Sequence, residues 1–395
     1  MKKLLFGLGL ALLLSTPLLA QEDTYIFEST HYRVRSHLSM EHAELAATKM
    51  EALATLYNSF FHFDTQSLGH KLRVQIFDSK RDFDRYLLRL IGETRDEFVY
   101  LHYNDVSRSE LVGYAVDDSF SDKSIAHQGF VQFLRSFIAN PPLWIREGFA
   151  VYFEDAEIDL SFGAAINREN LSWLETLKDI LFGSRQAEAL TPEEILAIDV
   201  ESARDTIDVF YPEAWGVVHY LLNSPIRSHN RILWSSISAM EPRASLQENS
   251  RRVVEAAFRW VPQDDLLESF LTYFQELNTY RELIEAGVSA YERGDLFQAE
   301  SYFVQAIDRQ DTSYIPYYYL GLINYDRENF ALAQFNYKAA LDRGADEAIT
   351  LYALGVNAFA DNRFTEAQEF LQQTVRLDPA TFETRAALIL QRMEY

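Results

Sequence analysis

The sequence predicts an α+β fold, in which an N-terminal domain with a mixed sheet and helices precedes an all-α solenoid of helical repeats. Three observations predict it. Up to about residue 120, segments of alternating polar and apolar residues come between helical patterns, as in a domain built on one sheet. From about residue 165 to residue 275 the pattern becomes predominantly helical. After residue 280 the sequence repeats itself every 34 residues, which is typical of a solenoid.

The first twenty residues have the pattern of a secretory signal peptide. Two lysines precede an apolar run from Leu4 to Leu14, and Ala20 ends a stretch of small and apolar residues. The run is too short to span a membrane comfortably, and no cysteine follows that could carry a lipoprotein anchor. We therefore expect cleavage of residues 1–20, no membrane span afterwards, and a periplasmic or secreted protein that is not a lipoprotein.

The composition excludes several classes of protein. The 395 residues have a net charge of −23, which argues against a nucleic-acid partner because phosphate backbones bind clustered Lys and Arg. Cysteine is absent, so disulfides, Cys nucleophiles and thiolate metal sites are excluded. The sequence also has no Gly-rich phosphate loop and no G-x-S-x-G nucleophile motif.

The N-terminal elements follow from the spacing of apolar residues. Residues 25–37 alternate apolar and polar side chains as one half-buried strand does, and a helix begins at Ser39. Residues 72–77 form a second predicted strand, which a helix follows. The segments 96–105 and 110–116 are predicted as further strands.

The rest of the first domain is predicted as mainly helical. Its predicted helices are "SIAHQGFVQF" (124–133), a helix starting near "REGFAVYFEDAEI" (146–158), "TPEEILAI" (191–198), "PEAWGVVHYLLNS" (212–224) and "DLLESFLTYFQEL" (265–277). We place this domain at residues 21–275.

The C-terminal region aligns with itself in four columns at a strict 34-residue period. These columns are Gly287, Gly321 and Gly355; Ala299, Ala333 and Ala367; Phe303, Tyr337 and Leu371; and Ala306, Ala340 and Thr374. The pattern resembles the tetratricopeptide repeat (TPR), in which small residues lie where two helices of a repeat meet. We predict a TPR domain at residues 280–395, with repeats at 280–313, 314–347 and 348–381 and a capping helix to about residue 393.

The resemblance to TPR proteins implies a groove lined by the first helix of each repeat. The implied groove positions are Ile284, Val288, Tyr291, Tyr318, Leu322, Tyr325, Tyr352, Val356 and Phe359. An aromatic surface of this kind suits an extended peptide or an amphipathic helix. The alternative is that several of these side chains pack against the adjacent helix or the N-terminal domain.

Two segments are close to the signature of a zinc hydrolase. In H-E-x-x-H the two His lie one helical turn apart and bind the ion, while the Glu activates the metal-bound water. Here "HQGFV" begins at His127, and "P-x-W-x-x-E-G-x-A-x-Y-F" begins at Pro142. Together with the preceding strands and helices, these segments resemble the gluzincin (peptidase MA-like) metallopeptidases over about residues 25–225.

The resemblance assigns His127 to the first metal ligand and Glu147 to the third, but two positions depart from the family pattern. Gln128 stands where the general base belongs, and an amide does not accept a proton from water. Val131 stands where the second imidazole belongs, and an alkane does not bind a metal. We therefore expect no catalytic residue, no cofactor and no metal.

The sequence leaves three functions open. The first is a non-catalytic pseudo-metallopeptidase that binds a protein or peptide through its repeat groove. The second is a zinc-dependent peptidase with a rearranged ligand set, in which His102 or His219 joins His127 and Glu147 and zinc is the cofactor. The third is a peptide- or glycan-binding protein that uses the vestigial cleft.

Overall fold

The computed structural model describes residues 24–115, 118–310 and 312–393, without the side chains of residues 118–121. These residues form two compact units. The first comprises the described residues up to Asn170 together with Glu193–Val261, and the second comprises Leu171–Pro192 together with the described residues from Pro262 onward. The predicted signal peptide, residues 1–20, lies outside the described residues.

The first unit contains a five-stranded mixed sheet of spatial order β1-β2-β3-β5-β4. Its strands are Tyr25–Glu28 (β1), Tyr32–Ser36 (β2), Leu72–Phe77 (β3), Val99–Leu101 (β4) and Glu110–Tyr114 (β5). The three central strands β2, β3 and β5 run parallel, and the two edge strands β1 and β4 run antiparallel to their neighbours. A mixed sheet followed by a long run of helices confirms the α+β prediction in these coarse terms.

The predicted first strand is in fact two strands joined by a turn. The Ser29 backbone N–H donates to the Tyr32 carbonyl oxygen at 3.0 Å, and the Ser29 hydroxyl donates to Glu51 at 2.7 Å. The turn pairs Tyr25 with Ser36 in antiparallel register. Alternation of polar and apolar residues continues through the turn, and this is why the sequence pattern did not separate the two strands.

The helices before the repeat region account for most of the remaining chain. They are Met40–Phe61 (α1), Lys80–Leu90 (α2), Asp118–Phe137 (α3), Leu143–Tyr152 (α4), Leu174–Phe182 (α5), Pro192–Ala197 (α6), Val200–Asp205 (α7), Ile207–Asn223 (α8), Arg227–Ala239 (α9), Leu246–Ala257 (α10) and Gln263–Glu276 (α11). A small two-stranded sheet follows α4, formed by Glu157–Asp159 (β6) and Ala164–Ile166 (β7).

Serine caps begin the two helices that connect the parallel strands. The Ser39 side chain accepts a hydrogen bond from the His42 N–H at the start of α1, and the Ser79 side chain accepts one from the Asp82 N–H at the start of α2. Since parallel neighbours cannot be joined by a tight turn, α1 carries the chain from β2 to β3, and α2 lies on the path from β3 to β5.

Helices α1, α3 and α4 enclose a core of aromatic rings. Tyr57, Phe130 and Phe149 are fully buried, and their neighbouring rings lie 5–6 Å apart in edge-on and tilted arrangements. Helix α4 begins at Leu143, three residues before the predicted start, because Pro142 provides the extended residue that precedes it. This core fixes the relative positions of α3 and α4.

The second unit contains three consecutive helix pairs and a final helix. They are Tyr280–Glu292 (α12) with Leu296–Arg309 (α13), Tyr314–Asp326 (α14) with Phe330–Asp342 (α15), Glu347–Ala360 (α16) with Phe364–Leu377 (α17), and Pro379–Met393 (α18). The helices of each pair pack against each other, and each pair packs against the next. This region is therefore a helical repeat.

The glycine and bulky columns of the sequence meet inside each helix pair. A Cβ atom added to Gly287 would lie 2.8 Å from the Phe303 ring, and one added to Gly321 would lie 2.4 Å from the Tyr337 ring. Gly355 has the same relation to Leu371, at 2.8 Å. The glycine is needed at this position because the opposing side chain occupies the space that any larger residue would require.

The two compact units differ from the predicted domain bounds at two helices. Helix α11 belongs to the second unit with the repeats, whereas the sequence prediction placed residues 262–275 in the N-terminal domain. Helix α5 also belongs to the second unit. In the part of the chain that the structure describes, no helix is long and apolar enough to cross a membrane.

Candidate functional site

Helices α3 and α4 bring His127 and Glu147 together in the first unit. His127 lies in the middle of α3, and Glu147 lies in the second turn of α4. Both side chains are nearly buried, with 13% and 9% of their surface exposed, and the His127 Nε2 atom lies 3.6 Å from Glu147 Oε2. The two positions that the sequence singles out are therefore direct neighbours.

A second carboxylate contacts the other side of the imidazole. The His127 Nδ1 atom lies 2.7 Å from Oε1 of Glu154, a residue just beyond the end of α4. With one carboxylate at each ring nitrogen, the arrangement suits an imidazolium, in which both nitrogens carry a proton. His127 is thus enclosed as a cation between Glu147 and Glu154.

Both oxygens of Glu147 have further partners. Nε of Arg146 donates to Oε1 at 2.5 Å, and the Tyr211 hydroxyl on α8 donates to Oε2 at 3.2 Å. The Tyr211 ring also lies nearly parallel to that of His127, with centroids 6.5 Å apart. The carboxylate is therefore held by a guanidinium, an imidazole and a phenol.

The pKa values of this cluster follow from its charges. Burial lowers the pKa of His127, but the contacts with Glu147 and Glu154 outweigh it and raise the value to about 9. Burial raises the pKa of Glu147, but the charge of Arg146 and the contact with His127 hold it at about 2. Burial, with the charge of Glu147, raises the pKa of Tyr211. At neutral pH the cluster is a buried ion pair with a neutral phenol donor.

The other motif positions of α3 have structural partners. The Gln128 Oε1 atom accepts a hydrogen bond from the Tyr100 backbone N–H at 3.3 Å, which ties α3 to strand β4. The Val131 side chain is buried in the core. One turn before His127 on the same helix, Lys123 forms an ion pair with Asp155 at 2.6 Å. No imidazole lies one turn from His127 in either direction.

The two histidines that the rearranged zinc site would require have different surroundings. The His219 imidazole is fully buried on α8, with Nε2 3.1 Å from Glu169 Oε1. His102 follows β4, with its Nδ1 atom 3.5 Å from the Tyr100 hydroxyl. Burial, followed by the positive charges of Arg135 and Arg146, lowers the pKa of His102 to about 4. His102 is therefore neutral at pH 7 and lies in a cationic environment.

The donor set does not fit a catalytic zinc site. Catalytic zinc is normally held by three protein ligands, and the described residues contain no group of three or more His, Asp or Glu side chains that could hold a metal ion. Of the positions that the motif assigns to metal ligands, His127 and Glu147 lie next to each other. The Glu147 carboxylate, however, also accepts hydrogen bonds from Arg146 and Tyr211.

Sequence reasoning missed two members of this cluster. Glu154 and Tyr211 contact the site but belong to no motif. The signal for Glu154 is its position seven residues after Glu147, which continues the same helical face. Tyr211 lies 64 residues away from Glu147 in the chain, and no local pattern could identify it. Arg146 pairs with Glu147, whereas Nε of Arg135 on α3 donates to the Ala139 carbonyl oxygen at 3.1 Å.

The predicted groove positions lie on the first helices of the three pairs, α12, α14 and α16. All nine side chains are half-buried. Several contact other rings within the repeats, at centroid distances of 5.0–5.9 Å. These pairs are Tyr291 with Tyr319, Tyr318 with Tyr337, Tyr352 with Phe382, and Phe359 with Phe364. Each ring is therefore packed on one side and leaves part of its surface open.

Three of the nine positions line a cleft of about 440 Å³, which we call the repeat cleft. Its lining residues are Ile284, Val288, Tyr314, Ile315, Tyr318, Tyr319, Ala345, Asp346, Ile349 and Thr350. They come from α12, α14 and the start of α16. The walls are aliphatic and aromatic, and Asp346 is the one charged residue among them.

The fold and the site together define a class of protein with an α+β unit, a buried His–carboxylate cluster and a helical repeat. Residues 124–242 match the family described as a protein of unknown function, DUF1570. The matched segment contains both His127 and Glu147 and covers less than a third of the chain. No curated protein matches the chain.

Proposed function

We propose that this chain is a non-catalytic binding protein that holds a segment of another protein in its C-terminal repeats. The observation that carries the proposal is the repeat cleft. It is open, has a volume of about 440 Å³, and is lined by aliphatic and aromatic side chains. Concave apolar surfaces with a few polar groups are the usual sites of ligand binding. A peptide segment suits the cleft because the first helices of three successive pairs, α12, α14 and α16, contribute to one continuous surface.

The proposal assigns the repeats to the tetratricopeptide class. Three features support the assignment: helix pairs that start 33–34 residues apart, a glycine opposite a bulky side chain in every pair, and a final helix, α18, that covers the last pair. In repeats of this class the first helix of each pair lines the concave face, and here those helices line the repeat cleft.

The first unit is proposed to be a degenerate gluzincin domain without catalytic activity. The general base is replaced by Gln128, whose amide bonds to the backbone of β4. The positive charge of the remaining His127 is balanced by the carboxylates of Glu147 and Glu154. In this proposal the old metal site survives as a structural ion pair, and it stabilises the contact between α3 and α4.

The proposed location is the periplasm or the extracellular space. The signal-peptide pattern of residues 1–20 supports it. So does the absence of cysteine throughout the chain, because a protein without thiols folds in an oxidising compartment without forming wrong disulfides.

A matched pair of variants tests binding in the repeat cleft. Ile349→Arg places a large charged side chain in the cleft at a position that is 46% exposed, and Leu332→Arg makes the same change outside the cleft at a position that is 55% exposed. A random peptide library is displayed and selected on the wild-type chain, and the Kd of each enriched peptide is measured for both variants. We expect Ile349→Arg to weaken binding by more than about ten-fold and Leu332→Arg to leave it within about two-fold.

The same experiment can reject the proposal. If the enriched peptides bind both variants as tightly as wild type, then the repeat cleft is not their site. If no peptide is enriched over a library selected without the protein, then peptide binding itself is rejected. Circular dichroism of both variants verifies that each retains the helical content of the wild type.

A further inference from the structure

The repeat cleft combines partly exposed tyrosine rings with a carboxylate. Tyr318 and Tyr319 on α14 line it together with aliphatic side chains, and Asp346 lies at its edge. Oδ1 of Asp346 accepts a hydrogen bond from the Ile349 N–H at 2.8 Å, so it caps α16. Within the described residues Asp346 forms no ion pair. Its charge is therefore available to a ligand.

A second carboxylate lies at the other end of α14. Asp326 Oδ2 accepts a hydrogen bond from the Tyr291 hydroxyl at 3.0 Å. Burial, together with this hydrogen bond, raises the pKa of Tyr291 to about 12. Asp326 is exposed and, in the region that the structure covers, has no ion-pair partner. The groove face of α14 therefore has an uncompensated carboxylate near each end.

Two arginines near α14 are engaged elsewhere. Arg327 forms an ion pair with Glu300 at 2.6 Å and also donates to the Leu296 carbonyl oxygen. The Arg343 guanidinium lies over the Tyr317 ring, 4.1 Å from its centroid. Residues 280–395 contain 18 acidic and 10 basic residues, so the repeat region as a whole carries a net negative charge.

The contact of Arg343 with Tyr317 is an internal example of the chemistry that the groove offers. It demonstrates that a tyrosine of α14 accepts a guanidinium on its ring face. At Tyr318 a ligand cation would meet an aromatic ring and, beside it, the Asp346 carboxylate. A charged hydrogen bond and a cation–π contact would then act on the same group.

We infer that the segment bound in the repeat cleft is cationic, with Lys or Arg side chains spaced between aliphatic ones. In the cleft the aliphatic side chains contact Ile284, Val288 and Ile349, and one cation contacts the tyrosine rings and Asp346. A second cation reaches Asp326 on the groove beside the cleft, next to Tyr291. This inference rests on the proposed function and names the chemical class of its partner.

Three labelled peptides of equal length test the inference. They alternate leucine with lysine, leucine with glutamine, or leucine with glutamate, and the anisotropy of each is titrated with the full chain. The double variant Asp326→Asn/Asp346→Asn removes both charges but keeps their hydrogen bonds, because Asn accepts and caps as well as Asp does. The matched control is Asp295→Asn, which makes the same change at the cap of α13, outside the cleft.

We expect the leucine–lysine peptide to bind more tightly than the other two. The double variant raises its Kd about ten-fold, as loss of charge pairing at an interface does, and Asp295→Asn changes it less than about two-fold. Added salt raises the Kd of wild type more than that of the double variant. Ile349→Arg abolishes this binding, which separates the cleft from general attraction to an acidic protein.

The other outcomes are distinguishable. If the glutamine or glutamate peptide binds as tightly as the lysine peptide and Ile349→Arg weakens both, then the cleft binds peptides but the inferred charge preference is wrong. If the lysine peptide binds equally to wild type, the double variant and Ile349→Arg, the inference is wrong because binding does not occur at the cleft. If none of the three peptides binds, both the inference and binding in the cleft are rejected.

Discussion

The imidazole of His127 is held charged by two carboxylates rather than by one. Glu147 and Glu154 approach different ring nitrogens, so neither nitrogen of the imidazole is left without a negatively charged partner. A buried imidazolium without such partners would lose its proton, because burial alone lowers a histidine pKa. The cluster therefore depends on Glu154 as much as on the motif residue Glu147.

This residue-scale account predicts how stability varies with pH. His127 has a folded-state pKa of about 9, above its unfolded value of about 6.5. Its contribution is therefore complete below about pH 6.5 and is lost as the pH rises through 9. The variant His127→Ala should lower the free energy of unfolding by about 3 kcal/mol at pH 6, and by less at pH 10. Urea unfolding of both proteins across this range measures the difference.

The contribution of Glu147 to stability depends on pH in the opposite direction. Glu147 has a folded-state pKa of about 2, below the ordinary glutamate value of about 4.3. Its contribution is therefore complete above that ordinary value and is lost as the pH falls through 2.

A difference in the free energy of unfolding between wild type and His127→Ala that stays constant from pH 6 to pH 10 would contradict the assignment of His127 as a buried cation.

At the residue scale, the sequence predicts which chemical functions a side chain cannot perform better than it predicts which side chains come into contact. That Gln128 and Val131 cannot perform base catalysis or bind zinc follows from their functional groups alone. The contacts of Glu154 with His127 and of Tyr211 with Glu147 do not follow from the motif. Helical spacing only places Glu154 on the face of Glu147, and the contacts themselves depend on how the chain turns after α4 and on how α8 packs. Both are tertiary features that a local pattern does not contain.

At the scale of elements, close contact between helices depends on small residues. A Cβ atom at Gly148 on α4 would lie 2.4 Å from the Ala214 carbonyl oxygen on α8. Backbone cannot move away as the end of a flexible side chain can. Gly148 therefore has a packing role in addition to its place in the motif.

A pair of glycine variants tests this contact. Gly148→Ala should lower the free energy of unfolding by about 2 kcal/mol, because the overlap costs more than the gain in helix propensity. Gly129→Ala on the neighbouring helix α3 is the control. Its added Cβ meets the terminal methyl of the flexible Met50 side chain at 3.2 Å and the Tyr57 hydroxyl at an ordinary contact distance of 3.5 Å, so we expect stability to be unchanged or to rise by about 0.5–1 kcal/mol. Equal effects of the two variants in chemical unfolding would contradict the packing role.

The repeat helices were more predictable than the sheet. Each helix pair is stabilised by contacts between residues about sixteen positions apart, such as Gly321 with Tyr337, and the same contact recurs in each repeat. The sheet depends on pairs such as Val74 with Leu111, which are far apart in the chain. Alternation identified β3 but did not resolve the turn between β1 and β2 or the order of the strands.

At the scale of the whole molecule, the chain combines a unit whose buried His–carboxylate cluster is satisfied by its own side chains with a unit that has an open cleft on its repeats. In the first unit the buried His127 is satisfied by Glu147 and Glu154. In the second unit the tyrosine rings that line the repeat cleft are partly exposed, and its one carboxylate, Asp346, accepts a hydrogen bond but forms no ion pair among the described residues. This contrast is the reason to expect binding in the repeats and no hydrolysis at His127.

The most direct test of this central claim is the zinc content of the purified chain after incubation with zinc and dialysis. It is measured for wild type and His127→Ala together with cleavage of a fluorogenic peptide library with and without chelator. We predict less than one zinc per chain, the same content in both proteins, and no chelator-sensitive cleavage. One zinc per wild-type chain that is lost in His127→Ala, together with chelator-sensitive cleavage by the wild type, would contradict the account.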